Sequence, residues 1–282
     1  MTIIEACRSP AAAERRFLAG LARAFGGAIL FSLPLFMTME MWSRGFTMDR
    51  LRLALLLVVG LPLLVGLSHY IGFEDTFGWQ DDLVDSAVAY AVGFLSAGSM
   101  LLLFGVVAAG MGLDEIVGKV SLQAFAGAVG AMLAQNQFGQ RTDERTDGRR
   151  IRRYGEELLI MMIGALFLAL NVAPTEEVEL IAYQMPPWQA PVLVAVTLGL
   201  MHAFVYAVHF RGEEGRFPEG TSFLSLFLRY TVTGYALVLL VCLYVLWSFG
   251  ALDGMGMAPA LTVAAVLAFP GAMGAAAARL IL

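Results

Sequence analysis

Apolar residues run along this chain in long stretches, near 18–42, 51–73, 84–109, 113–134, 157–174, 190–210, 222–249 and 257–282, separated by polar segments. A helix rises about 1.5 Å per residue, so roughly 20 apolar residues cross the ~30 Å hydrocarbon core of a bilayer. The pattern predicts an all-α, polytopic transmembrane helix bundle of about eight helices. The fifth stretch is short and stops at Pro174.

The second half of the pattern repeats the first. Arg15-Arg16-Phe17, Gly27-Ala28, Leu33, Thr38 and Glu40 return as Arg152-Arg153-Tyr154, Gly164-Ala165, Leu170, Thr175 and Glu177, at a spacing of 175 − 38 = 137 residues. The last apolar stretch of each half agrees: Phe125, Gly127, Ala128, Gly130, Ala131 and Ala134 return as Phe269, Gly271, Ala272, Gly274, Ala275 and Ala278, now 269 − 125 = 144 residues on. Loop insertions account for the growth. The expected layout is an N-terminal tail (1–17), a first four-helix repeat (18–136), a charged linker (137–154) and a second four-helix repeat (155–282). Duplicated helical folds are frequent among transporters, which places an expected pathway at or near the interface of the two repeats.

Composition strengthens the membrane expectation. Hydrophobic residues make up 59% of the chain and charged residues 15%, against roughly a quarter charged in soluble domains; the mean hydropathy is +0.75. The first apolar run is too long for a signal-peptide core and has no Ala-x-Ala site after it, so it is expected to stay as an anchor. Cys7 and Cys242 stand far apart and offer no disulfide framework. The net charge of −5 leaves no nucleic-acid footprint.

Arginine placement sets the orientation. Arg8, Arg15 and Arg16 lie in the tail, Arg141, Arg145, Arg149, Arg150, Arg152 and Arg153 in or at the linker, and Arg211 and Arg216 in a later loop. By the positive-inside rule all these segments are cytoplasmic, as are both termini, with four helices per half. The halves then share one orientation, related by a pseudo-two-fold axis along the membrane normal. The segment 74–85 carries Glu74, Asp75, Asp81, Asp82 and Asp85 without a base, but acids weigh little in this rule. The linker arginines are also able to hold anionic lipid head groups.

The candidate chemistry lies in polar residues inside or beside apolar helices. Glu40 and Glu177 each follow a threonine, Thr38 and Thr175, two residues earlier. With the first helix centred near residue 30, Glu40 falls about 15 Å from its centre, at the external edge of the hydrocarbon. Two alternatives follow: interfacial carboxylates beside the Trp42 anchor, or a pair of acids at the mouth of a cation pathway. His202 is the ionisable residue nearest a helix midpoint, where the first half has Leu63. It reads either as a proton-carrying group or as a neutral histidine bonded to a neighbour such as Tyr206. His69 and His209 lie near helix ends. Lys119 is placed to pair with Glu115, Arg229 to snorkel, and Glu156-Glu157 to complement the start of a helix. Gln123, Ser96, Ser99, Asn171, Thr231 and Thr233 either line a polar path or join helices.

Gly127, Ala131, Gly271 and Ala275 belong to stripes of small residues that let helices approach closely. Pro34 and Pro62 sit inside helices, where proline frees a carbonyl. Met37, Met39 and Met41 surround Glu40, but alternate residues share no helix face, so no soft-metal site is expected. No catalytic motif is present: His-Glu-x-x-His, a phosphate loop with lysine and Gly-x-Ser-x-Gly are all missing from the sequence. The expectation is therefore no enzyme, no metal and no cofactor.

The string Gly26-Gly27-Ala28-Ile29-Leu30-Phe31-Ser32-Leu33-Pro34, followed by Thr38-Met39-Glu40-Met41-Trp42, resembles a bacterial family of integral membrane proteins of unknown function. Length and duplicated layout are similar over most of the chain. The resemblance implies membrane residence and carries no activity. The sequence thus leads to a multi-pass protein of a bacterial cytoplasmic (inner) membrane, with the lipid bilayer as partner and small cations or protons as cargo of a channel or transporter. The alternative is a non-transporting scaffold or partner subunit. The apolar perimeter and Gly/Ala stripes are compatible with a homo-oligomer.

Overall fold

The structure is a computed structural model that describes residues 10–71, 79–138, 154–210 and 223–281. Cys7, Arg8, the linker from 139 to 153, Glu74, Asp75 and the loop with Arg211 and Arg216 lie outside the described residues. Every described element is helical. In chain order these are α1 (Pro10–Phe36), α2 (Met39–Thr47), α3 (Arg50–Ile71), α4 (Trp79–Leu103), α5 (Leu113–Phe138), α6 (Tyr154–Val172), α7 (Glu177–Gln184), α8 (Gln189–Phe210), α9 and α10 (Met257–Ile281). The helical stretch α9 has three consecutive parts, Phe223–Leu226, the π-helical Phe227–Val232 and Thr233–Ser248.

Among the described residues seven helices are long and apolar enough to cross a membrane; an eighth span is counted if α7 and α8, bent by 119° at their junction, form one. Their outward residues suit lipid as solvent: Leu30, Leu51, Val58, Val84, Leu95 and Leu102 are all exposed. The chain forms two compact units, Met1–Arg145 and Thr146–Leu282.

In the first unit α5 is the central helix, and α1, α2, α3 and α4 all pack on it. Every residue from 121 to 132 on α5 is buried. The packing follows from glycine. A Cβ on Gly27 would lie 2.5 Å from the Gly130 carbonyl oxygen, and a Cβ on Gly130 would lie 2.5 Å from that of Gly27, so α1 and α5 touch backbone to backbone. In the second unit α10 has the central place, with α6, α7, α8 and α9 packed on it. There Gly164 of α6 and Gly274 of α10 meet in the same way.

The apolar run 18–42 is broken, contrary to the single helix its composition suggests. Pro34 has no N–H to give, and the freed end of α1 is closed by Thr38, whose hydroxyl donates to the Pro34 carbonyl at 2.6 Å. Extended backbone at Thr38 (φ −100°, ψ 115°) then turns the chain into the short helix α2. Asp49 caps α3 through its Oδ1, which accepts from the N–H groups of Leu51 and Arg52. Both α4 and α9 end on a left-handed glycine, Gly105 (φ +72°) and Gly250 (φ +76°). The next N–H, from Val106 or Ala251, reaches back to the carbonyl of Leu101 or Leu246, a Schellman-type closure.

Candidate functional site

The repeated threonines close helix ends. Thr38 is bonded as above, and the Thr175 hydroxyl donates to the Val172 carbonyl at 2.7 Å, in the turn between α6 and α7. Glu40 and Glu177 lie in the first turn of the short helices α2 and α7, where a carboxylate complements the positive end of the helix dipole. Glu40 is half-buried and Glu177 exposed. On α2, Trp42 donates its indole N–H to the Phe36 carbonyl; nearby, Arg50 pairs with Asp114 at 2.7 Å, and buried Lys119 pairs with Glu115 one turn earlier.

His202 is buried on α8. Its Nδ1 lies 2.9 Å from the Thr231 hydroxyl, and its ring meets Phe227 edge-on with centroids 5.2 Å apart. Thr231 and Phe227 both belong to the π-helical part of α9. Such insertions re-aim side chains and are frequent at functional sites. The described partner of Nδ1 is thus Thr231; the side chain of Tyr206 lies outside the described ones.

A second cluster in the same unit joins residues distant in sequence. Glu157 at the start of α6 pairs with Arg279 at the end of α10 at 3.1 Å, with side chains 4% and 5% exposed. The Arg279 guanidinium lies 4.5 Å from the centre of the Tyr230 ring, while that of Arg229 lies over Tyr154, whose hydroxyl donates to the Arg229 carbonyl at 2.6 Å. Glu157 therefore does more than complement a helix end. Nothing in the sequence marks this pair, because the partners stand on the first and last helices of the unit.

The first unit has its own buried acid. Asp82, in the first turn of α4, is buried; the Ser68 hydroxyl lies 3.2 Å from its Oδ1 and 3.0 Å from Oδ2 of Asp85, and His69 Nδ1 lies 3.3 Å from its Oδ2. The acids near residue 80 were legible only as a loop without bases, yet α4 already begins at Trp79 and takes Asp82 inside. Among the described residues no three His, Cys, Asp or Glu side chains come together as a metal-ligand set.

The small-residue positions all lie in the packed interior. Gly127 faces Gly93 of α4, a Cβ there standing 3.1 Å from the Gly93 Cα, and Gly271 faces Val238 and Cys242 of α9. Ala131 and Ala275 are fully buried.

A chain whose described elements are all helical, with seven or eight apolar spans among the described residues and exposed aliphatic side chains on them, is a multi-pass integral membrane protein. The chain belongs to the family described as "Putative integral membrane protein (DUF2391)", whose sequence model matches residues 20–282. Neither a curated protein nor a solved structure matches the chain.

Proposed function

We propose that this protein is a channel or transporter for small cations, protons foremost, in a bacterial cytoplasmic membrane, with both termini on the cytoplasmic side. The observation that carries the reading is His202, an ionisable side chain buried among apolar spans and bonded to Thr231 on a π-helical segment. Ionisable groups inside a membrane bundle are costly and usually functional. Histidine exchanges protons near neutral pH. Glu40, where α2 begins, and Glu177, where α7 begins, then act as acids that raise the local cation concentration, with Thr38 and Thr175 shaping the helix breaks that present them. Neither catalysis nor a cofactor enters this reading.

The test is ion flux through the purified protein in liposomes, across protons, potassium, sodium and a divalent cation, with the Glu40→Gln/Glu177→Gln variant alongside. Cation-selective flux that falls in the variant supports the reading. A second reading, a non-transporting scaffold or partner subunit, is favoured by the close packing of α5 and α10 within their units. Silence for every ion from folded, inserted protein selects it.

A further inference from the structure

Gln123 occupies the middle of the span Leu113–Ala134 of α5, ten residues from its start and eleven from its end, and is fully buried. Neither its amide nitrogen nor its carbonyl oxygen has a hydrogen-bond partner among the described residues. The same holds for the fully buried hydroxyl of Ser32 on α1. The two belong to one neighbourhood: Gly127 follows Gln123 by one helical turn, and the Ser32 Oγ lies 3.6 Å from the position a Gly127 Cβ would take. A buried amide and hydroxyl left without partners are strongly disfavoured, more so where lipid surrounds the bundle.

Packing does not demand these polar groups. The sequence correspondence between the halves (169 − 32 = 137 and 267 − 123 = 144) puts Ala169 and Leu267 at the matching places of the second unit, both fully buried. An apolar pair thus fills the same positions, and Ser32 and Gln123 do something a packed core does not require.

We propose that Gln123 and Ser32 bind internal water within the first unit. The chemistry fits: the amide supplies two donors and an acceptor, the hydroxyl a donor and acceptors, and a buried water takes two to four such partners. Both groups are neutral, and the nearest charged side chain along the helix is Lys119, one turn before Gln123 and bonded to Glu115. That pair carries no net negative charge to hold a bare cation, while water needs no counter-charge. The inference stands independently of the transport reading, since a scaffold could also hold water.

The experiment is water-edited solid-state NMR on the wild-type chain in lipid bilayers, following magnetisation from water to assigned glutamine side-chain amides. Transfer to Gln123 as fast as to the exposed Gln80 and Gln184 is expected. Transfer as slow as to the buried backbone amides of Ala126 and Val129 overturns the proposal. In the Ser32→Ala/Gln123→Leu variant, which copies the second unit, the expected result is a loss of rapid transfer to the neighbouring Gly127 and Phe31 amides with thermal stability retained. Rapid transfer to those amides persisting in a folded variant would equally overturn it.

Discussion

At the scale of single residues, the Glu157–Arg279 pair is the sharpest electrostatic commitment in the second unit. Both side chains are almost wholly removed from solvent, so each charge depends on the other. Removing one partner of a buried pair costs about 3–5 kcal/mol, whereas replacing both with apolar groups is often neutral. Arg279→Leu is therefore expected to lower the melting temperature in detergent sharply, and Glu157→Leu/Arg279→Leu to recover most of the loss; equal damage from both variants would show that the pair is not a unit. Thr38 and Thr175 were legible as a recurrence, while the atoms they bond were not. Their recurrence is plain in the sequence, but a hydroxyl that closes a helix end and one that lines a cation path look alike there. What the structure adds is their acceptors, the Pro34 and Val172 carbonyls. Gln123 was visible as a polar residue in an apolar run. That neither of its amide atoms meets a partner among the described residues was not, because satisfaction depends on three-dimensional neighbours.

At the scale of elements, the recurring glycines have a physical account. Gly27 with Gly130, and Gly164 with Gly274, are the points where the first long helix of a unit crosses the central one at backbone contact. A methyl group there forces the helices apart. Gly27→Ala is expected to destabilise by about 1–3 kcal/mol, the usual cost of overpacking. Its neighbour Gly26 has open space around it, and Gly26→Ala should be neutral or stabilising by up to about 1 kcal/mol through helix propensity. Thermal unfolding of the two variants checks the contrast; equal effects would contradict the crossing. Helix spans were readable in the sequence because lipid demands continuous apolar surface. The break after Phe36 was not, since Met37 and Met39 keep the run apolar while Pro34 and Thr38 end the helix locally. The short α7 escaped because Glu176, Glu177 and Glu179 give it the composition of a loop. The π-helical turn at Phe227–Val232 has no period that a sequence of apolar residues could reveal.

At the scale of the whole molecule, each unit carries its own central helix and its own glycine crossing. Severing the chain between Arg145 and Thr146 is therefore expected to leave both halves inserted and folded when they are co-expressed, measured by protease protection and thermal unfolding. Aggregation of either half would show that it lacks a complete core. The membrane class rests on hundreds of residues of hydropathy, so it was legible. The proposed transport rests on a few polar contacts, among them His202 with Thr231. The most direct measurement is proton entry into liposomes holding the folded protein, driven by a membrane potential, for wild type and His202→Gln. The account predicts entry well above that of protein-free liposomes and its loss in the variant. Entry no faster than without protein, or an unchanged rate in His202→Gln, would contradict it.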